Sequence, residues 1–296
     1  MAGRAPSSLF RRKRAVAGVA AGLASVLGAG VVAGCAVDGA ASGGAGSAQR
    51  TKAAGVLLPT AGMRFDYQIG GGYTPPDGVR AVSRDREDEP APGRYNVCYV
   101  NAFQTQPGAL GWWQGTHPDL LLRDGEGELV IDEGWDEVLL DTSTAVRRAR
   151  LAQIVGDWID GCAESGFQAV EPDNLDSFER SKGKLTQDDN AAFAKVLAAR
   201  AHSAGLAIGQ KNTTDLLDRR AAIGFDFAVT EECAQFDECD AYADAYDDRV
   251  FAIEYEGEGE VGFEESCSAW GDRVSLVLRD LDVLPAGEKE YVFRTC

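Results

Sequence analysis

Eight short apolar runs recur along this chain, and most of them end in a charged or amide residue. Most runs are continuous rather than alternating in polarity, as expected for strands buried on both faces of a parallel sheet. We therefore predict eight strands, at residues 65–70, 79–85, 96–101, 168–173, 206–212, 227–232, 250–255 and 274–280.

Helical patterns lie between these runs. One amphipathic helix is predicted over residues 144–163, where apolar residues from Ile154 to Cys162 share one face at helical spacing. A second is predicted to begin at Thr186, because Thr186-x-x-Asp189 has the pattern of a capping box. Shorter helices are predicted at residues 214–222, 237–246 and 263–270.

Strands that alternate with helices indicate an α/β protein, and eight such strands match a single (β/α)8 barrel of the TIM type. An open doubly wound sheet is the alternative, but no G-x-G-x-x-G follows a predicted strand. The carboxyl ends of barrel strands meet at one mouth. This arrangement is expected to bring together residues that are distant in sequence, namely Glu171, Asp173, Lys211, Glu231, Glu254 and Asp280.

The first residues of the chain have the pattern of an export signal. A basic segment at residues 11–14 precedes an apolar stretch at 15–32, and Val32-Ala33-Gly34-Cys35 has the form of a lipoprotein cleavage site. We predict a lipoprotein signal peptide at residues 1–34, lipidation at Cys35, a Gly/Ala/Ser-rich tether at 35–60 and the barrel at 61–296. The expected location is the outer face of the cell membrane. A plain secretory signal or an uncleaved anchor helix is the alternative.

The net charge of −18 argues against nucleic acid or anionic lipid as a partner. It suits a cationic substrate, although an acidic surface also keeps proteins soluble. We expect a monomer. Six cysteines besides Cys35 predict three disulfides, with Cys233–Cys239 the favoured pair. Without a C-x-x-C motif, and with only two distant histidines, the sequence predicts neither metal nor cofactor.

Two carboxylates that follow separate strands form the candidate catalytic pair, Asp173 and Glu231. Hydrolysis of a glycosidic bond requires one carboxyl group to protonate the leaving oxygen and another to attack the anomeric carbon or activate water. Asp173 has the alternative role of capping an Asp-Asn turn. Glu231 has the alternative of being a solvated acid, with Glu232 acting in its place.

Other polar residues near the predicted mouth are candidate substrate contacts. Glu171, Asp176 and Glu254 offer charge-assisted hydrogen bonds to hydroxyl or ammonium groups, or else form ion pairs within the protein. Lys211 either pairs with a neighbouring carboxylate or serves as a Schiff-base lysine. Asn212 is a natural hydroxyl ligand, and Tyr99 is expected to point into the mouth. Tryptophans after the third strand either stack on sugar rings or form a small core, namely Trp112, Trp113 and Trp135.

Several segments together resemble glycoside hydrolase family 114, whose members are endo-α-1,4-polygalactosaminidases on a (β/α)8 barrel. The resemblance is carried in order by residues 65–68, 97–100, 170–176, 210–212, 225–233 and 238–240. The family motif E-P-D-N-x-D falls on residues 171–176 and implies that Asp173 is the catalytic aspartate. The motif N-E-Q-C falls on residues 230–233 and implies that Glu231 is the second carboxylate, with Thr230 and Glu232 in place of the usual amides.

The resemblance implies a retaining hydrolase of α-1,4-linked galactosamine polymers, whose ammonium groups agree with the acidic composition. Within the resembling segments we also assign Asp66, Asn174 and Glu232 to substrate binding. Two other functions remain as alternatives. One is a barrel that binds carbohydrate without catalysis. The other is a magnesium-dependent barrel enzyme, because acids at successive strand ends near a lysine also describe such a site.

Overall fold

The computed structural model describes residues 55–257 and 259–296. The predicted signal peptide, Cys35 and most of the predicted tether lie outside the described residues. The tether residues that are described lie against the barrel: Pro59 is buried, and the Tyr95 hydroxyl donates to the Leu57 carbonyl at 2.8 Å. Among the described helices, none combines the length and apolar character that crossing a bilayer requires.

Nine strands form one sheet, and all eight predicted strands are among them. The strands of the chain are β1 (Phe65–Tyr67), β2 (Ala81–Asp85), β3 (Tyr95–Asn101), β4 (Ile131–Asp132), β5 (Glu137–Val138), β6 (Ala169–Asp173), β7 (Ala207–Lys211), β8 (Phe227–Glu231), β9 (Val250–Tyr255), β10 (Ser275–Arg279) and β11 (Phe293–Thr295). The sheet order is β1-β2-β3-β6-β7-β8-β9-β10-β11. Its neighbours are parallel except for β11, which pairs antiparallel with β10. A separate antiparallel hairpin consists of β4 and β5.

Both long predicted helices are present, and the second begins with the predicted capping box. The helices are α1 (Leu110–Thr116), α2 (Ala145–Ser165), α3 (Ser177–Arg180), α4 (Gln187–Ser203), α5 (Arg220–Ile223), α6 (Cys239–Tyr246) and α7 (Gly259–Trp270), with 3-10 turns at Pro118–Leu120 and Thr214–Arg219. The Thr144 side chain accepts from the Arg147 N–H at the start of α2, and Thr186 forms a capping box with Asp189 at the start of α4.

The ring of helices is less complete than the (β/α)8 prediction implies. No helix among the described residues follows β1, β2 or β10. Loops and β11 cover this flank instead, and Phe293 packs against Val79, Val82 and Ala91. The segment at residues 70–78 contains four glycines and two prolines, which disfavour a helix after β1.

Two apolar clusters lie on opposite faces of the sheet. The larger cluster packs the outer faces of the strands against the helices. The inner cluster fills the barrel and includes Ala169, Ala207, Phe227 and Val229. Because side chains alternate between faces along a strand, the inward residues of β6, β7 and β8 continue at every second position. That alternation carries Glu171, Asp173, Lys211 and Glu231 to the mouth, above the inner cluster.

The barrel closes between β1 and β10, which lie side by side. Across this seam Arg279 of β10 pairs with Asp66 of β1 at 3.3 Å, and both side chains are fully buried. Asp280 holds the returning C-terminal segment, because its carboxylate accepts the N–H groups of Leu284 at 2.8 Å and Val292 at 3.1 Å. The charged end of β10 therefore closes the barrel.

Three disulfides are present, as predicted, and Cys233–Cys239 is one of them. Cys98–Cys162 joins β3 to α2 across the outer core, and Cys267–Cys296 joins α7 to the C-terminus. Disulfides of this kind fit an oxidising compartment.

We expect the Cys98–Cys162 disulfide to stabilise the fold more than the Cys233–Cys239 disulfide. Its cysteines are 64 residues apart, against 6 for Cys233–Cys239, and cross-linking restricts an unfolded chain more when the loop is longer. Replacing both Cys98 and Cys162 with alanine should lower the free energy of unfolding by about 4 kcal/mol, against about 2 kcal/mol for Cys233 and Cys239. Denaturant unfolding of the two double variants measures both losses, and the reverse order would contradict the expectation.

Candidate active site

A buried ammonium group lies at the centre of the mouth. Lys211 is 1% exposed, and its Nζ lies 2.8 Å from Glu171 Oε1, 3.1 Å from Asp173 Oδ1 and 3.3 Å from Glu231 Oε2. These four residues come from β6, β7 and β8. The structure therefore brings together both members of the predicted carboxylate pair and two of the predicted substrate contacts.

The three surrounding carboxylates keep Lys211 charged. Burial alone would lower its pKa, but the charges of Asp173, Glu171 and Glu231 together raise the pKa well above its usual value. A Schiff base forms only from a neutral amine, so this environment favours the ion-pair interpretation of Lys211.

Glu171 is enclosed by the groups that it binds. Its side chain is fully buried, and its oxygens accept hydrogen bonds from Tyr67 Oη at 2.9 Å, Ser83 Oγ at 2.9 Å and Lys211 Nζ. Burial raises the pKa of Glu171, and Lys211 offsets only part of that effect. Its position suits orientation of Lys211 better than direct contact with a ligand.

Asp173 is held as a carboxylate at the mouth of the barrel. Tyr99 Oη donates to Asp173 Oδ2 at 2.6 Å, so Tyr99 points into the mouth as predicted. Burial tends to raise the pKa of Asp173, but Lys211 and Tyr99 overcome it and the pKa is lowered below its usual value. The side chain remains 17% exposed. Asp173 thus combines a stable negative charge with access to a ligand.

Glu231 is the more exposed of the pair, with 26% of its side chain accessible. The Tyr255 hydroxyl donates to Oε1, and Asn212 Nδ2 donates to Oε2 at 3.3 Å. Burial and then the charge of Glu231 raise the pKa of Tyr255 well above its usual value, which keeps the hydroxyl protonated as a donor. Asn212, which directly follows β7, is therefore bound to the candidate acid at the end of the next strand, β8.

The hairpin of β4 and β5 adds a carboxylate that the sequence did not reveal. Asn101 Nδ2 donates to Glu137 Oε2 at 2.8 Å, and Asn101 Oδ1 accepts from Asn174 Nδ2 at 2.9 Å. Asn101 is the β3 residue in register with Asp173. The only signal for Glu137 was an acid directly before the apolar residues 138–140.

Asp176 is part of an ion-pair group beside this hairpin. Arg180 binds Asp176 Oδ1 at 2.9 Å, Asp132 Oδ2 at 2.7 Å and Asn174 Oδ1 at 3.2 Å. The ion-pair alternative for Asp176 is thus realised. Asn174 is tied both to this group and to Asn101.

Three of the predicted substrate contacts lie in other surroundings. Glu254 Oε1 accepts from the Ala234 N–H at 2.9 Å, next to the Cys233–Cys239 disulfide, and burial raises the pKa of Glu254 to about 7. Glu232 is buried in the same loop, with a positive φ of 59°. Asp66 lies in the seam with Arg279. Cys233, Cys239 and Glu254 resemble a metal-ligand set by distance alone, but the disulfide removes both thiolates.

We expect Glu137→Gln to stabilise the protein increasingly as pH rises. Burial raises the pKa of Glu137 from 4.5 to about 8. The hydrogen bond from Asn101 opposes this rise, and the charges of Asp173 and Asp132 add to it. A carboxyl group whose pKa is raised by folding contributes stability below its unfolded pKa and loses it as pH rises through the folded pKa. The variant should therefore gain about 5 kcal/mol over wild type between pH 4.5 and pH 8.

Thermal unfolding at several pH values tests this expectation. Glutamine retains an oxygen that accepts from Asn101, so this hydrogen bond is present in both proteins. A stability difference between the two proteins that does not change with pH would contradict the raised pKa.

The fold has relatives of known structure. A crystal structure of Aspergillus fumigatus Ega3 in complex with galactosamine aligns with a TM-score of 0.66 and 24% identity, over 82% of this chain and 98% of that chain. The glycoside hydrolase domain of PelA from Pseudomonas aeruginosa aligns with a TM-score of 0.50 and 14% identity, over 79% and 97% of the two chains. Among curated proteins, none shows significant sequence similarity to the chain.

The family resemblance noted in the sequence extends across the barrel. The profile of glycoside-hydrolase family GH114 matches residues 45–296, which include every strand and helix described above. The structural likenesses are in agreement with the barrel fold of this family. The chain therefore belongs to glycoside hydrolase family GH114.

Proposed function

We propose that the protein is an extracytoplasmic, endo-acting and retaining hydrolase of α-1,4-linked galactosamine polymers. The observation that carries this proposal is the convergence of Asp173 and Glu231 on the Lys211 ammonium at the mouth of the barrel. A pair of carboxyl groups on either side of a pocket is the machinery of glycoside hydrolysis.

In this proposal Asp173 is the nucleophile and Glu231 is the acid and base. The ionised Asp173 attacks the anomeric carbon while the Glu231 carboxyl group gives its proton to the departing glycosidic oxygen. Water then attacks the glycosyl ester, Glu231 removes the proton of that water, and Asp173 leaves as a carboxylate. The lowered pKa of Asp173 supports the first role, and the greater exposure of Glu231 supports the second.

The geometry supports retention over inversion. Asp173 Oδ1 and Glu231 Oε2 lie 3.1 and 3.3 Å from Lys211 Nζ. The distance between these two carboxylate oxygens is therefore at most the sum of the two contacts. Carboxyl groups are about 5–5.5 Å apart in retaining enzymes and about 6.5–9.5 Å apart in inverting enzymes. Analysis of the anomer released first, by NMR, tests this part of the proposal.

Two observations support an amino-sugar substrate. The relative Ega3 was crystallised in complex with galactosamine. The chain carries a net charge of −18, which attracts a polymer with ammonium groups. We further propose that the protein is attached to the outer face of the cell membrane through a lipid on Cys35 and acts as a monomer.

Incubation of the protein with α-1,4-galactosamine polymers and other α-linked polysaccharides tests the function, with the products identified by mass. Release of short oligosaccharides from the galactosamine polymer alone is the expected result. Binding without products would support a non-catalytic barrel, and loss of activity with a chelator would support a metal-dependent one. Release of single sugars from the chain end would contradict endo action.

A further inference from the structure

A cleft lies on the rim of the barrel, after the ends of β2 and β3. Its volume is about 200 Å³, large enough to admit a single sugar ring. We call it the indole cleft; it is lined by Arg86, Gln106, Ala109, Trp112, Trp113 and Trp158. The lining therefore combines three indole rings with one cation and one amide.

The indole rings of the cleft form a stack of edge-to-face contacts. Trp112 and Trp113 have ring centroids 4.9 Å apart, and Trp113 and Trp158 have theirs 6.1 Å apart. Trp113 is buried and fixes the arrangement, whereas Trp112 is 46% exposed. An exposed indole on a fixed base offers the flat apolar surface on which the C–H face of a pyranose packs.

The polar groups of the cleft include an unused donor. Arg86 Nε is buried and has no hydrogen-bond partner among the described residues, while the guanidinium lies 4.7 Å from the centroid of the Trp158 ring. The Arg86 Nη2 group pairs with the exposed Glu87 at 2.7 Å. A buried donor without a partner is unfavourable, so a ligand with an acceptor oxygen would relieve it.

The cleft is linked to the candidate active site through Tyr99. The Arg86 N–H donates to the Tyr99 carbonyl at 3.1 Å, and the Tyr99 hydroxyl binds Asp173. Gln106 Nε2 donates to Asp85 Oδ2 at 2.7 Å, at the end of β2. Two strand spacings of about 4.8 Å separate β2 from β6, a distance that a few linked sugar rings span.

We propose that the indole cleft is a remote subsite that binds an N-acetylated, uncharged sugar unit of the polymer cleaved at Asp173 and Glu231. The inference rests on the proposed function for the polymer, but it concerns a site that catalysis does not use. The cleft lining contains a guanidinium and no carboxylate, and the neighbouring carboxylates of Asp85 and Glu87 already bind Gln106 and Arg86, so the cleft disfavours a protonated amino sugar. An acetamido group instead brings a carbonyl acceptor for Arg86 and a methyl group for the indoles.

The two sites would therefore prefer different units of one chain. At the mouth, acidic residues surround Lys211, whereas the indole cleft presents the Arg86 Nε donor and apolar rings. A polymer that is acetylated at some units and free at others would satisfy both sites at once. A fully deacetylated polymer would satisfy only the mouth.

Kinetics on two polymers test the proposal, one fully deacetylated and one chemically re-acetylated at part of its amines. We expect Trp112→Ala and Arg86→Met to raise KM on the re-acetylated polymer about tenfold, with kcat unchanged, and to leave KM on the deacetylated polymer within about twofold. Val196→Ala and Arg219→Met are the matched controls, because Val196 is exposed on α4, Arg219 pairs with the exposed Asp188 of that helix, and neither residue lines the cleft. Thermal unfolding verifies that each variant is folded.

Equal increases in KM on both polymers, a fall in kcat, or no change on the re-acetylated polymer would overturn the subsite. If wild type cleaves neither polymer, the proposed function fails, and the subsite is decided by binding alone. Calorimetric titration with N-acetylgalactosamine oligosaccharides then serves as the probe. Binding that Trp112→Ala abolishes supports the subsite, and binding that is absent or insensitive to Trp112→Ala overturns it.

Discussion

Asp173→Asn is expected to reduce kcat on a galactosamine polymer by about 10⁴-fold, because the amide cannot form the glycosyl ester that the proposed reaction requires. The substitution preserves shape and leaves an oxygen to accept from the Tyr99 hydroxyl. Lys211 retains Glu171 and Glu231 as partners. The loss of activity should therefore occur in a folded protein.

Product release over time and thermal unfolding measure the two effects separately. Asp188→Asn is the matched control, because Asp188 is an exposed carboxylate on α4 that pairs with Arg219. Substrate binding by the Asp173→Asn variant should persist, which calorimetry with the polymer detects. Activity within tenfold of wild type would remove Asp173 from the nucleophile role.

Lys211→Met is expected to lower the free energy of unfolding by about 3–5 kcal/mol at neutral pH, the usual effect of removing one partner from a buried ion pair. The variant leaves Glu171 fully buried without a cation, beside Asp173 and Glu231. Folded protein should also lose activity at acidic pH, because Lys211 is a main cause of the lowered pKa of Asp173. Without the ammonium that pKa rises, and the acidic limb of the pH–rate profile moves to higher pH.

The pH dependence of stability gives a second measure of the same ion pair. A carboxyl group with a lowered pKa contributes stability above its unfolded pKa of 3.8, and this contribution is lost as pH falls through the folded pKa. The stability gap between wild type and Lys211→Met should therefore be narrower at pH 3 than at pH 7. Lys195→Met, at an exposed position on α4, is the control. An equal gap at pH 3 and pH 7 would contradict the ion-pair account.

Much of this site was predictable because strands impose a period of two. Apolar runs identified β6, β7 and β8, and their polar ends had to meet at one mouth. Continuous apolar runs conceal which face is inward, however, and Glu254 illustrates the difficulty. It lies between the inward residues Ile253 and Tyr255, so its side chain points away from the mouth, toward the loop after β8.

Features that depend on distant packing were not predictable. Glu137 reaches Asn101 because a hairpin folds back over the mouth, and no local pattern in the sequence encodes that contact. Likewise, β11 forms only because it pairs with β10, after a turn in which the Asp280 carboxylate accepts the N–H of Leu284. The (β/α)8 assignment followed from counting strands, and it gave no information on which connections lack a helix, such as the Gly- and Pro-rich connection after β1.

The position of Lys211 between the two acids has a consequence for the whole reaction cycle. In the proposed mechanism Asp173 surrenders its negative charge to an ester at the same stage at which Glu231 acquires one by releasing a proton. Lys211 contacts both, so the total charge around its nitrogen is conserved while the location of that charge moves from one neighbour to the other. A fixed cation that serves both halves of the cycle needs little rearrangement of its surroundings between them.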